Sequence, residues 1–380
     1  MNNNKNNTLS EDDLLRYSRH ISLPQMGKEG QLKLKNSSIL IVGVGGLGSP
    51  IIAYLAAAGI GKIGLIDNDT VEKSNLQRQI LHFEKDIGKM KVDSASNKIN
   101  SMNSNVEIVT YPKKLEKENA LEIISEYDLI IDGTDNFPTR YLLSDACEIL
   151  EKTWIFGSIH QFEGQITTFN YHGSPNYRDL FPEPPPSGMV QNCEEGGVLG
   201  VLPGMIGSMQ ATEAIKLLLN LGDNLSGKLL IYDALTMKTK VFNYGHSERE
   251  NVTDLGDYTE NCDSKQETYN VPHLNITPES ANQKIAEGWK PFILDVRTER
   301  ESKIASIQNT DLLITHIEIM NHIEKIPKNQ DILIYCHHGG RSSMAATILN
   351  NMGYNSNKLF NLDGGIHLWS IEVDNSVPRY

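Results

Sequence analysis

Cysteine is scarce in this chain: four in 380 residues, at positions 147, 193, 262 and 336, with no C-x-x-C pair among them. That excludes a disulfide framework and fits a reducing, cytoplasmic setting. Positive charge is in deficit as well. With 35 Lys and Arg against 48 Asp and Glu, the formal charge is −13, which argues against nucleic acid or an anionic membrane as a partner. Any anionic ligand must therefore be held by local donors. Long apolar runs are also missing. The longest uncharged stretch, Gly196 to Thr212, is interrupted by Pro203 and interior glycines and falls short of a membrane span. The opening MNNNKNNTLS lacks an apolar core, so residues 1–12 are expected to be a disordered tail and not a signal peptide.

What is present is alternation. SSILIVGVGG, KIGLIDNDTV, NVEIVTYP and YDLIIDGTDN are apolar strand signals, with helical patterns such as LGSPIIAYLAAAG and KMKVDSASNKINSMN between them. Continuous apolar strands separated by helices predict an α/β fold with a parallel sheet covered on both faces. EGQITTFNY and GKLLIYDALTMKTKVFNY predict antiparallel strands added at its end. After Asn243 the pattern gives way to polar, acidic sequence of linker composition. It resumes with PFILDVRT, DILIYC and RSSMAATILNNMG. The expected organisation is a first domain over 13–245, a linker over 246–272 and a smaller α/β domain over 273–380.

VGVGGLG carries G-x-G-x-x-G spacing at Gly43, Gly45 and Gly48, after a strand and before a helix. Such a turn brings backbone close to a phosphate at a helix N-terminus. Asp67, ending the next strand, suits a ribose hydroxyl. These features alone would point to a nicotinamide-dependent oxidoreductase. Asn75 and Arg78 follow closely, and Lys91 lies beyond them. Two cations and an amide suit a triphosphate better than a dinucleotide, because a γ-phosphate adds charge to neutralise. Asp135 and Asn136 end a later strand, and a carboxylate there is a natural Mg²⁺ holder. Singly, Arg78 or Lys91 is equally well a surface residue.

Together the stretches RYSRHISLPQMG, ILIVGVGGLGSP, IDNDTVEKSNLQRQ, GTDN, FEGQITTFNY and NCEEGGVLGVLPGMIGSMQATEAIK resemble the MoeB/ThiF-type activating enzymes, relatives of the ubiquitin-activating enzymes. The resemblance covers roughly residues 14–242 and implies a Rossmann-like domain. Its implied reaction uses ATP and Mg²⁺ to join AMP to the C-terminal glycine of a ubiquitin-like protein. It further implies Gly46 and Asp67 at the nucleotide, Asn75, Arg78 and Lys91 at the phosphates, and Asp135 at the metal. Arg19 is implied to reach the ATP of the other subunit of a homodimer. Many members hold a structural zinc with two C-x-x-C pairs, the first written PCYRC. Here PNYRD places Asn176 and Asp179 at those positions, and no second pair follows Tyr244. A closed zinc site prefers nitrogen and sulfur ligands, so no structural zinc is expected, and packing around PEPPPSG is a candidate substitute. Cys193 occupies a position where several relatives carry a cysteine that attacks the adenylate or pairs with a sulfur. Glu194 and Glu195 disfavour its thiolate, so an inert loop cysteine is the competing reading.

YCHHGGRSS delivers Cys336 from a strand into a glycine-bearing loop that opens a helix near Ser342. Backbone N–H groups of such a loop nest an anion, the helix N-terminus adds partial positive charge, and Arg341 adds a full one. All three favour a thiolate and a persulfide anion. Cysteine phosphatases use a longer loop; only His337, His338, Gly339 and Gly340 separate Cys336 from Arg341, and the smaller ring suits sulfur. With FILDVRT and NLDGGIHLW, the region from 273 onward resembles a rhodanese domain. That implies Cys336 as the persulfide carrier and Asp295 with Arg297 as a charge-paired brace; Gly364, Gly365 and Trp369 belong to the same signature. His337 and His338 are expected to solubilise the loop or tune the thiol.

The combination resembles the MOCS3/Uba-type fusions of the two modules. It implies adenylation of a ubiquitin-like sulfur-carrier protein ending in Gly-Gly, followed by sulfur transfer from Cys336, fed by a cysteine desulfurase or thiosulfate, to give a thiocarboxylate. Three alternatives stand beside it: an adenylyltransferase whose rhodanese domain serves another pathway, a regulator that docks the carrier without activating it, and an NAD-dependent oxidoreductase.

Overall fold

The computed structural model describes residues 8–182, 197–256, 258, 273–316 and 318–379, which gather into two compact units, the first closing at 258 and the second opening at 273. In the first, β1 (Ser38–Val42), β2 (Lys62–Ile66), β3 (Glu107–Tyr111), β4 (Leu129–Asp132), β5 (Trp154–His160), β6 (Glu163–Phe169), β7 (Lys228–Asp233) and β8 (Lys238–Asn243) share one sheet in the order β3-β2-β1-β4-β5-β6-β7-β8. Pairing is parallel from β3 to β5 and antiparallel from β5 to β8. Side chains alternate across the strands. Ile39 and Ile41 pack into one buried cluster with the helices Gly48–Ala58 and Leu202–Leu219, and Leu40 and Val42 into another with the helix Phe137–Ile149. Both faces of β1 are therefore covered, which explains its uninterrupted apolar sequence.

The second unit has β9 (Leu274–Ile276), β10 (Phe292–Asp295), β11 (Leu312–Leu313), β12 (Ile332–Tyr335) and β13 (Leu359–Leu362), all parallel, in the order β11-β10-β12-β13-β9. Its central β12 divides the same way, with Ile332 and Ile334 in one cluster and Leu333 and Tyr335 in the other. Among the described residues no helix is long and apolar enough to cross a membrane.

Two boundaries differ from expectation. Glu11 and Asp12, expected in the tail, begin the helix Glu11–Arg16, which Ser10 caps by accepting the Asp13 N–H. Buried Asp13 pairs with Lys35 at 2.5 Å and fixes that helix to the unit. Residues 246–256, expected as linker, lie against the first unit, held by Arg249 and the buried Leu255. Their polar composition reflects ion pairing, not solvation. The remainder of the expected linker lies largely outside the described residues.

Candidate active sites

Strand order reverses direction between β1 and β4, and the loops leaving their C-terminal ends diverge around a crevice, as open α/β sheets require. The glycine turn forms one wall. Gly43 holds φ +96°, and a Cβ there would lie 2.6 Å from the Gly133 carbonyl. A Cβ on Gly48 would lie 2.2 Å from the Gly43 carbonyl. A side chain at Gly43 would push the β1 and β4 loops apart, and one at Gly48 would break open the glycine turn itself. Gly43, Gly45 and Gly46 line the cavity, whereas Gly48 sits behind them as the first residue of the helix Gly48–Ala58.

Asp67, Arg78, Lys91, Asp135 and Asn136 line the same cavity, so five residues expected at a nucleotide converge there. Asp67 accepts the Val44 N–H at 2.7 Å and the Asp69 N–H at 2.8 Å, tying the glycine turn to the end of β2. Burial pushes its carboxyl above the ordinary carboxylate value, against the pull of Lys91. Lys91 donates to Asp69 at 2.7 Å. Arg78 donates to the Ser74 carbonyl at 3.2 Å. Asn136 caps the helix Phe137–Ile149 by accepting the Thr139 N–H at 3.0 Å. Asn75, expected at the phosphates, does not line the cavity. It is buried in the turn before Arg78, where its side chain accepts the Glu72 N–H at 3.1 Å. Arg19 is exposed on the short helix Ser18–Ile21 and does not line this chain's cavity.

The sequence reading missed what holds the Asp135 loop. Fully buried Asp132 accepts the Thr134 N–H at 2.8 Å and hydroxyl at 2.6 Å. Arg140, one turn into the following helix, donates to Asp132 at 3.2 Å and to the Thr134 carbonyl at 2.8 Å. This brace clamps both ends of the loop bearing Asp135 and Asn136. Asp69, Gln79 and Arg140 also line the cavity. The D-x-x-D-N-x-x-x-R spacing from Asp132 to Arg140 was the available signal.

Asp135 offers the hard oxygen that Mg²⁺ prefers, and Mg²⁺ is usually completed by substrate phosphates and water; the donor set therefore fits that ion. Among the described residues no cluster of three His, Cys, Asp or Glu side chains is placed to hold a metal unaided. The implied zinc does not fit. Asn176 spends its amide oxygen on the Ser144 hydroxyl at 2.9 Å, and Asp179 accepts from Ser247 and Arg249.

In the second unit Cys336 ends β12 fully buried. Its Sγ accepts the Gly339 N–H at 3.1 Å and lies 3.4 Å from the Ser342 hydroxyl. The helix Gly340–Asn351 starts at that loop and directs its N-terminal end toward the sulfur. Arg341, expected to add a full charge at the thiol, is paired through both terminal nitrogens with Glu301, at 3.0 and 2.7 Å. The Gly339 N–H donates to the sulfur, while the Ser342 hydroxyl, 3.4 Å from it, also reaches the Gly339 carbonyl at 2.9 Å. Burial raises the Glu301 carboxyl, but bonds from Arg341 and Thr298 outweigh it and hold it at about 2. Asp295 and Arg297 form the expected buried brace, at 2.6 Å. His337 is half-buried rather than a solubilising side chain, stacked on His338 at 4.1 Å and near His367. Burial, followed by the neighbouring imidazoles, holds it near 4. Cys147 is buried, which pushes its thiol far up; Cys193 and Cys262 lie outside the described residues.

The family model described as the ThiF family matches residues 17–253. The chain belongs to the ThiF family. A rhodanese-like domain model matches residues 277–372, so this ThiF-family chain carries a second module. Adenylyltransferase and sulfurtransferase MOCS3-1 of Zea mays is 39% identical, over 98% of this chain and 85% of that protein. Probable adenylyltransferase/sulfurtransferase MoeZ of Mycobacterium tuberculosis is 38% identical, over 98% and 96%. The crystal structure of E. coli MccB with ATP superposes with a TM-score of 0.55 at 22% identity, covering 62% of this chain and 74% of that one. It shares the fold of the ThiF-family unit.

Proposed function

We propose that the first unit adenylates the C-terminal glycine of a ubiquitin-like sulfur-carrier protein and that Cys336 then supplies sulfur to the activated carbonyl. One observation carries this reading: a single chain joins a cavity lined by Asp67, Arg78, Lys91 and Asp135 to a unit presenting a thiol within a loop of donors. The chain is an enzyme, an adenylyltransferase and a sulfurtransferase.

The glycine carboxylate attacks the α-phosphorus of ATP; the new bond is O–P, and the bond to pyrophosphate breaks. Arg78 and Lys91 neutralise the charge that gathers on the phosphates, and the glycine turn supplies N–H groups toward them. Mg²⁺, held through Asp135, would supply charge neutralisation and phosphate orientation. The terminal sulfur of a Cys336 persulfide then attacks the acyl carbon and AMP departs, leaving an acyl disulfide. A second thiol cleaves the S–S bond, taking Cys336 into a disulfide and releasing the thiocarboxylate; Cys193 is the candidate. The loop N–H and Ser342 hydroxyl stabilise negative charge on sulfur while it waits. We place the enzyme in the cytoplasm as a homodimer, with Arg19 serving the partner's nucleotide.

Mass measurement of a Gly-Gly-ended carrier, incubated with the full chain, ATP, Mg²⁺ and thiosulfate, tests the whole sequence. The expected product is the thiocarboxylate; a carrier that gains only AMP would reduce the proposal to its first half.

A further inference from the structure

The residues that take the place of the zinc cysteines form a structure of their own. Asn176 and Asp179 sit at the start of the short helix Tyr177–Leu180, and the segment after Tyr244 returns to meet them. Arg249 lies between two carboxylates. Its fork donates to Glu148 at 3.0 and 2.9 Å, and its Nε donates to Asp179 at 3.2 Å. Asp179 also accepts the Ser247 N–H at 2.9 Å, and His246 lies 3.6 Å from its other oxygen. Asn176 donates its amide N–H to Glu148. One delocalised cation thus gathers side chains from the helix Phe137–Ile149, from 176–179 and from 246–249, the joining a structural metal performs.

The chain continues under the same control. The Val252 N–H donates to Glu148 at 3.1 Å. Leu255 is buried beside Tyr177 and Phe156 in the core cluster, and the Tyr258 hydroxyl donates to Asp145, which Arg178 grips at 2.6 and 2.8 Å. Residues 246–256 and 258 therefore strap onto the first unit, which leaves the sequence from 259 to 272 to reach the second. At about 3.5 Å per residue, whatever path they take, those residues reach no further than roughly 50 Å. Freed from residue 246, the connection would reach roughly 95 Å.

We infer that Arg249, with Glu148 and Asp179, is a metal-free clasp that replaces a structural zinc and fixes where the connection to the sulfur-carrying unit leaves the first. It is a positioning residue: it does not line the glycine-walled cavity, and it acts by keeping Cys336 concentrated around the acyl-adenylate. That last consequence rests on the proposed function; the clasp itself does not.

The test uses the full chain and its Arg249→Met variant. Elemental analysis of the wild type is expected to find no stoichiometric zinc, and EDTA to leave its melting temperature unchanged. In Arg249→Met, amides of 246–258 are expected to exchange hydrogen at least tenfold faster. ATP–pyrophosphate exchange and thiosulfate:cyanide transfer should stay within about twofold, while coupled thiocarboxylate formation falls about threefold, following the dilution of a lengthened tether. Arg249→Lys, which keeps charge without the fork, should restore protection only partly. Should Arg249→Met fail to fold, the neutralised pair Glu148→Gln/Arg249→Met gives the same exchange readout. Zinc at one per chain whose removal lowers the melting temperature would overturn the inference. So would strap amides as protected in the variants as in the wild type. If the wild type shows no carrier-dependent exchange, the functional reading fails while the hydrogen-exchange result still judges the clasp.

Discussion

Cys336 is fully buried, yet its sulfur meets an N–H at 3.1 Å and a hydroxyl at 3.4 Å. The sulfur is thus held by donors while screened from bulk water. Cys336→Ala should abolish thiosulfate:cyanide sulfur transfer and leave ATP–pyrophosphate exchange intact; a parallel loss of both would show that the two units do not divide the chemistry. Glu301 adds a pH dependence at the same loop. Its folded carboxyl sits at about 2, below an unfolded glutamate at about 4.3. The stability it contributes through Arg341 is therefore complete above about pH 4.3 and disappears as pH falls toward 2. Acid titration followed by circular dichroism should show the wild type holding the second unit to lower pH than Glu301→Gln, which lacks that linkage. Cysteine and arginine were legible from spacing alone, since a short glycine loop between strand and helix constrains both. The partner of Arg341 was not, because Glu301 lies forty residues earlier on another helix and no local periodicity connects them.

At the scale of elements, the loop between β4 and the helix Phe137–Ile149 presents Asp135, and the Asp132–Arg140 pair holds it. Both partners are buried. Removing one charge from such a pair costs about 3–5 kcal/mol, so Arg140→Gln should lower thermal stability by that order. Exchange should fall further than the folded fraction alone explains, because Asp135 loses its fixed position. Arg140→Lys, retaining charge but not the fork, should recover stability more than kcat; equal recovery of both would make the brace merely structural. The strands and the glycine turn were readable because a parallel sheet demands unbroken apolar runs and the turn demands missing side chains. The packing of 246–256 on the first unit was not legible, because ion pairs and one buried leucine hold it, and these leave a polar composition. Asn75 was legible as part of the motif, but that its side chain accepts the Glu72 N–H in the turn before Arg78 was not.

Across the whole molecule, the two carboxylates of the clasp respond to acid in the same direction. In Glu148 and Asp179, burial raises the carboxyls, but donors led by Arg249 for Glu148 and the Asn176 N–H for Asp179 bring both below their ordinary values. Their contribution is present above the unfolded carboxylate range, near pH 4, and fades below it. Hydrogen exchange at decreasing pH should therefore show the strap opening only below about pH 4; opening near neutrality would contradict the sign. The central claim is that the glycine-walled cavity grips ATP in order to activate a protein tail. Carrier-dependent ATP–pyrophosphate exchange, measured for the full chain and for Asp135→Ala, tests it most directly. The account predicts exchange only when a Gly-Gly-ended carrier is present, and its loss by at least a hundredfold in the variant. Exchange without any carrier, or exchange that survives the substitution, would contradict it.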